Sequence, residues 1–191
     1  MRRLLKIDAY REPDMVARLG AMVDGAGYEV ARQGLEWYSV AHHVAHQVAG
    51  VAGCSVSSAA GIVASLSPLV SWSVNVRNSF HVAAGRPVGY LGAQLHKARR
   101  MLAGEAPNTV LSGVKERAFY GSILEPHTST TACIDRHMLV AAYGGDASRA
   151  AKWADGIERC QRAVFKVARS HAIPVPAAQA TIWIVQRGAS E

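Results

Sequence analysis

Residues 111–140, LSGVKERAFYGSILEPHTSTTACIDRHMLV, contain the side chains of this sequence that are best placed for chemistry. Asp135 follows a polar loop and precedes an apolar run that begins at Met138, so it is an N-cap candidate for a helix. Upstream, Ser112-Gly113 predicts a turn whose backbone N–H groups could bind a phosphate. The stretch therefore predicts a carboxylate that faces a group held by a phosphate-binding turn.

Helices on both sides must position these two features. Apolar residues at helical spacing predict a helix over Lys115 to Leu124. Glu125-Pro126 ends it, because proline disfavours the α conformation in the residue before it. Pro107-Asn108 begins a short helix that enters the turn, and the helix after Asp135 begins at Met138. The predicted order is helix, glycine hairpin, helix, polar loop and capping carboxylate.

The rest of the chain is also predicted to be helical, and no strand pattern is convincing. Residues 1–14 form a lead-in, Asp14 and Ser57-Ser58 are N-cap candidates, and Gly144-Gly145-Asp146 predicts a turn. We therefore predict one all-α domain over residues 1–191. Its further helices are expected at Asp14–Val23, Leu35–Val51, Ala59–Leu66, Asn75–Ala84, Leu95–Ala103, Ala147–Ser170 (as one or two helices) and Ala177–Arg187.

Two blocks resemble the helix-hairpin-helix DNA glycosylases, the superfamily that includes the endonuclease III and MutY-like enzymes. The family signature is L-P-G-V-G-x-K, a helix, and then V-D-T-H. Leu111-Ser112-Gly113-Val114 matches its beginning and Ile134-Asp135-Arg136-His137 matches its end, with no gap between them. Val63 to Asn75, VASLSPLVSWSVN, is similar to an upstream helix end and loop of the family, with one residue missing. The resemblance covers about residues 57–143 and implies a glycosylase-like helical bundle.

The resemblance implies that Asp135 is the catalytic carboxylate. Breaking a base–sugar bond builds positive charge on the deoxyribose, and a carboxylate can stabilise that charge and activate a water. The alternative is that Asp135 only caps a helix, since a carboxylate at the positive helix end serves both purposes.

Arg117 falls on the position of the lysine that bifunctional members of the family use as a nucleophile. A guanidinium does not lose its proton at accessible pH, so it cannot form a Schiff base with the sugar. Base excision by water, without lyase chemistry, is therefore expected. Lys115 lies two residues away and stays open as an alternative nucleophile.

The hairpin departs from the family at two positions. Ser112 replaces the proline, and Lys115 replaces the second glycine, which lets the backbone approach a phosphate closely. Lys115 could supply charge in compensation, and Gly113 is retained. Close amide–phosphate contact is therefore the part of the resemblance that these substitutions weaken.

Several other residues are candidate DNA contacts. Leu69 lies where the family inserts a side chain into the duplex, so it is an apolar wedge candidate. Trp72 could stack on an extruded base or belong to the core. Arg136 could contact a phosphate or pair with Asp135, and His137 is expected to be structural. A basic helix adds a candidate phosphate-binding face made of Lys97, Arg99 and Arg100, for which a solvated face is the alternative.

Composition limits the class of protein. The formal net charge is +7, which favours a polyanionic partner such as DNA. Three cysteines far apart argue against a disulfide framework and exclude the four-cysteine iron–sulfur loop of some glycosylases. No apolar run reaches membrane-spanning length and no signal peptide is evident, so a cytoplasmic, DNA-associated protein is expected.

His42 and His46 are spaced for a metal, but no third ligand is near in sequence, and packing or partner-facing histidines are the preferred interpretation.

The resemblance therefore implies a monofunctional DNA glycosylase that binds double-stranded DNA, and we expect no cofactor, no metal, no membrane and no obligate protein partner. Two alternatives stay open. One is a non-catalytic helix-hairpin-helix DNA-binding protein, which the altered hairpin favours. The other is a transferase of the same fold that modifies a DNA base, as relatives that decorate thymine in viral DNA do.

Overall fold

The computed structural model describes residues 11–89, 92–144, 147–152 and 155–188. Within these ranges the protein is all-α and contains no strand, which confirms the predicted all-α class, while the glycosylase-like arrangement of the helices stays a prediction. Most of the predicted lead-in and residues 145–146 of the predicted turn lie outside them. The helices are α1 (Glu12–Asp24), α2 (Tyr28–Ala52), α3 (Val56–Ser65), α4 (Trp72–Ala83), α5 (Gly92–Leu102), α6 (Pro107–Val110), α7 (Val114–Leu124), α8 (Arg136–Tyr143), α9 (Ala147–Ala150), α10 (Gly156–Ser170) and α11 (Val175–Arg187).

The chain divides into two compact units. Unit 1 consists of residues 1–37 and 127–190 and contains α1, the first part of α2 and α8 to α11. Unit 2 consists of residues 38–126 and contains the rest of α2 and α3 to α7. The boundary at residues 37 and 38 lies inside α2. The single domain expected from the sequence is not tested by this division and stays a prediction.

Unit 1 is organised around the apolar face of α10. Its buried residues recur at the helical period, which gives the helix one apolar stripe and one basic face. This stripe packs against α1 and α11, and α8 packs against α11. The buried residues of α10 are Gly156, Cys160, Ala163, Val164, Val167 and Ala168. At the rim, Glu12 of α1 pairs with Arg162 and Lys166 of α10, whose bonds hold the pKa of that carboxyl below its usual value.

Unit 2 is organised around α3, which is buried from Ala59 to Ser65. Its small side chains let neighbouring helices approach closely, and α3 contacts α4, α5, α6 and α7. At Gly61, a Cβ atom would lie 2.5 Å from Met101 Sδ and 3.0 Å from Pro107 Cβ. This helix is therefore the centre of unit 2.

The predicted helices all exist, but several of their starts were wrong. Arg11, and not Asp14, is the N-cap of α1. Ser55, and not Ser57 or Ser58, caps α3, because its Oγ accepts the Ser58 N–H at 3.0 Å. Likewise Ser71 caps α4 by accepting the Val74 N–H, which moves Trp72 from the predicted loop into the helix. A side-chain cap reaches an amide two or three residues on, so the first apolar residue does not mark the helix start.

No single helix in the described ranges is both long and apolar enough to cross a membrane. Only when α2 and α3 are combined do they have the length and the apolar composition of a membrane-spanning segment, and the chain bends by 109° at the break between them.

Two glycines of α2 provide a matched test of packing. A Cβ at Gly34 would lie 2.0 Å from Thr181 Oγ1 and 2.9 Å from Thr181 Cα on α11, whereas a Cβ at Gly50 would meet nothing within 4 Å. We expect Gly34→Ala to destabilise the protein by about 1–3 kcal/mol, since the backbone of α11 cannot move aside cheaply. Gly50→Ala should stabilise it by about 0.5–1 kcal/mol through helix propensity. Urea unfolding of both variants measures this, and a stable Gly34→Ala protein would contradict the packing.

Candidate active site

Asp135 has the N-cap geometry that the sequence predicts. Its backbone is extended, and Oδ1 accepts the N–H groups of His137 at 2.8 Å and Met138 at 3.0 Å. Its other oxygen, Oδ2, accepts Nε1–H of Trp183 at 3.0 Å. An ionised carboxylate has about four acceptor sites, so these three bonds leave one on Oδ2. The side chain is half-buried, and its three hydrogen bonds hold it in one orientation.

Trp183 anchors a cluster of rings beside this carboxylate. Trp37 lies 6.4 Å from it between ring centroids, and His137 meets it edge-on at 6.3 Å. The guanidinium carbon of Arg187 lies 4.6 Å from the Trp183 centroid, a cation–π distance. The three rings are half-buried. The cluster therefore combines apolar ring surface with one carboxylate and one cation.

Neither Trp183 nor Trp37 was among the functional residues predicted from the sequence. The signal that could have drawn attention to Trp183 is its chemistry, because a buried or half-buried indole N–H generally needs an acceptor. Nothing in the linear pattern names that acceptor, since Asp135 is 48 residues away.

Cys160 lies near Asp135 but is not a nucleophile candidate. Its side chain is fully buried and its Sγ lies 3.8 Å from the Met138 carbonyl oxygen. Burial, and secondarily the negative charge of Asp135, raise the pKa of Cys160 to about 12. The group is therefore a thiol at neutral pH, and the thiolate is the reactive form.

In unit 2, the predicted turn connects α6 to α7 through Leu111, Ser112 and Gly113. Gly113 is the N-cap of α7 with φ −79° and ψ 140°, a conformation open to any residue. Its N–H points to Glu116 Oε2 at 3.4 Å. Gly113 has no side chain to return the bond, so only half of a capping box forms.

Lys97 is occupied by the same glutamate. Its Nζ lies 2.6 Å and 2.8 Å from the two carboxylate oxygens of Glu116, and Glu116 is 8% exposed. The pair places a neutralised carboxylate next to the α6–α7 connection. A phosphate bound at this connection would therefore lie next to the Glu116 carboxylate, a residue that was not predicted to take part. The predicted contact of Lys97 with DNA stays a prediction.

Arg117 of α7 forms a hydrogen bond to the same connection. Its Nε donates to the Leu111 carbonyl at 2.7 Å. Lys115 is the second residue of α7 and is half-buried. The structure thus gives Arg117 a local positioning contact, and the proposed roles of both residues toward DNA remain predictions.

Leu69 is the most exposed large apolar residue described, at 92%. It lies between α3 and α4 with φ +63°, the left-handed region that costs a leucine about 1–2 kcal/mol. Trp72 is half-buried in the first turn of α4. The strain at Leu69 is not offset by burial of its side chain in the core. Such backbone strain is typical of functional sites.

The remaining basic candidates differ in their surroundings. Arg99 is exposed on α5. Arg100 is paired with Glu105 through two hydrogen bonds of 2.8 Å and 2.5 Å. Arg136 is the exposed first residue of α8, and its Nε lies 3.3 Å from His137 Nε2 rather than on Asp135. The predicted pairing of Arg136 with Asp135 is thus absent from the described contacts.

A cavity of about 500 Å³ also lies in unit 1, next to the end of α11. None of the described residues that line it is charged, so it does not suit a phosphate. Its lining residues are Gly25, Ala26, Gly27, Val30, Gln33, Ile184, Val185 and Gly188.

A double-mutant cycle separates the helix cap of Asp135 from its bond to Trp183. Asp135→Ala should cost about 2–4 kcal/mol, because the cap and the indole bond are both lost. Asp135→Asn keeps the cap but turns an amide toward the indole N–H, so we expect a smaller loss. In a Trp183→Phe background that loss should shrink further, since the opposing donor is gone. Urea unfolding of the four proteins measures the coupling, and additive losses would contradict the Trp183 bond.

No curated protein and no solved structure matches this chain. A family model matches residues 1–190, which include both compact units and all the candidate residues. The chain therefore belongs to the Family of unknown function (DUF7178).

Proposed function

We propose that this protein is a DNA base-processing enzyme that hydrolyses the N-glycosidic bond of an extruded nucleotide. The observation that carries the proposal is Leu69, 92% exposed on a left-handed backbone between α3 and α4. An apolar side chain presented in this way can enter a base stack and fill the space of the departing nucleotide. In the family that the sequence resembles, a side chain at this position is inserted into the duplex.

Contacts with the phosphates of the DNA backbone supply the affinity of the proposed enzyme for DNA. A net charge of +7 and exposed arginines such as Arg99 and Arg136 suit the phosphates. Because Glu116 takes the Gly113 N–H, phosphate binding at the α6–α7 connection falls to other groups, including Lys115. This differs from the amide cradle that the resemblance implies.

Asp135 performs the chemistry. The bond between C1′ and the base nitrogen breaks, its electron pair leaves with the base, and the base takes a proton from solvent. Positive charge then develops on the sugar, and the fixed carboxylate stabilises it without having to reorient. The remaining acceptor site on Oδ2 can hold the water that attacks C1′, and the carboxylate takes the proton that this water loses. The rings of Trp183 and Trp37 offer apolar surface for the extruded base.

Abasic-site formation on a panel of damaged and modified duplexes tests the proposal. We expect base release by the wild type and a loss of about 10²–10³-fold in Asp135→Asn, because the charge that stabilises the sugar is removed. Asp155→Asn is the matched control, since Asp155 is also a helix N-cap in unit 1 but pairs with Arg159. Activity that survives in Asp135→Asn would contradict the assignment, and a base of changed mass that stays on the DNA would indicate a transferase.

A non-catalytic DNA-binding protein is the second candidate. The observation that favours it is that the three bonds of Asp135 already stabilise α8 and fix Trp183. Binding that weakens steeply with salt, together with no abasic product from any duplex, would support this function over the first.

Leu69 gives an independent test of base extrusion. Leu69→Gly should stabilise the fold by about 1 kcal/mol, because glycine adopts a positive φ without strain. The same substitution should reduce base release and the fluorescence change of a 2-aminopurine duplex. Ala172→Gly is the control, since Ala172 has φ +52° in unit 1 and its strain is relieved in the same way. Unchanged base extrusion in Leu69→Gly would rule out the wedge.

A further inference from the structure

Two histidines of α2 face each other one helical turn apart. The Nε2 atoms of His42 and His46 are 3.1 Å apart, and their ring centroids are 4.7 Å apart. His42 is half-buried and His46 is exposed to solvent. The pair lies in unit 2 and belongs neither to the Asp135 cluster nor to the α6–α7 connection.

The tautomer of His42 follows from its second contact. Its Nδ1 lies 2.9 Å from the carbonyl oxygen of Ile123, and a carbonyl oxygen only accepts hydrogen bonds. Nδ1 of His42 therefore carries the proton, and Nε2 carries a lone pair directed at His46. In the neutral, metal-free pair, the 3.1 Å separation fits donation of the His46 Nε2–H to that lone pair.

This arrangement has the features of two metal ligands. Metal-binding histidines typically donate the second ring N–H to a carbonyl or carboxylate, as His42 does to Ile123. Two nitrogens about 2.0–2.1 Å from a tetrahedral ion lie about 3.3 Å apart, close to the separation seen here. We propose that His42 and His46 bind one late first-row divalent metal ion, such as Zn²⁺, Ni²⁺ or Cu²⁺, through their Nε2 atoms.

Binding requires a proton shift on His46 and a rotation of the two rings. The His46 proton moves from Nε2 to Nδ1 through solvent, and the rotation brings both Nε2 lone pairs onto the ion. Within the described part of the chain no third His, Cys, Asp or Glu joins the pair, so water completes the coordination. The lack of a third ligand, which argued against a metal at the level of sequence, instead defines an open, two-ligand site.

The ligand set decides which ions bind. Imidazole nitrogen suits zinc, nickel and copper, and affinity should rise from Mn²⁺ through Co²⁺ and Ni²⁺ to Cu²⁺. Mg²⁺ and Ca²⁺ prefer oxygen ligands and should not bind here.

His43 provides a matched control on the same helix. It is exposed, and its Nε2 lies 3.1 Å from Gln47 Nε2. The distance matches that of the histidine pair, but an amide nitrogen has no lone pair available for a metal. His43→Gln therefore removes one histidine without touching the proposed ligands.

The test is binding of Ni²⁺ and Zn²⁺ alone, by titration calorimetry and by the shift in melting temperature, on the full chain. We expect one equivalent bound by the wild type and by His43→Gln, with a rise in melting temperature in both. His46→Gln should weaken binding by about tenfold or more and abolish the temperature shift. His46 is exposed and its glutamine can still hydrogen-bond to His42, so this variant is expected to fold.

Imidazole NMR resonances identify the ligands directly. On adding Zn²⁺, the ring signals of His42 and His46 should shift together while those of His43 stay in place. Equal affinity in His46→Gln, shifts confined to other histidines, or no bound metal in the wild type would each overturn the proposal.

Discussion

The carboxylate of Asp135 satisfies three donors at once, and unit 1 depends on that arrangement. Two of the donors are first-turn amides of α8, which would otherwise lack partners at the helix start. The third is the indole of Trp183, which links α8 to α11. A charge fixed at the positive end of a helix stabilises the fold and is also preorganised for chemistry, so a structural and a catalytic role use the same geometry.

The α6–α7 connection shows a different balance of charge. A turn that binds phosphate must leave amides and positive charge available, yet here Glu116 accepts the Gly113 N–H and pairs with Lys97. Arg117 closes the turn further through the Leu111 carbonyl. These contacts within the chain stabilise the local fold. Ser112 and Lys115, where the sequence departs from the glycosylase signature, lie in this same connection.

At Leu69, unlike at the α6–α7 connection, the local conformation lowers the stability of the fold. A leucine with positive φ and 92% exposure contributes strain and exposed apolar area to the folded state. Core packing offers no compensation for either cost. A partner that covers the side chain would recover the free energy of burying this apolar surface.

The sequence by itself determined the helical class and located the helices, because apolar residues at a 3.6-residue period favour a helix, but it left open whether residues 147–170 form one helix or two. It also determined the cap at Asp135, since that interaction spans only three residues. It misplaced the start of α4, and with it Trp72, because a serine before the apolar run sets the boundary. Only the tertiary structure decided the Trp183–Asp135 bond, the Lys97–Glu116 pair and the contact of His42 with Ile123, which join residues 48, 19 and 81 positions apart. Such contacts depend on how helices pack, and periodicity along one helix carries no information about which polar atom a distant helix will bring to it.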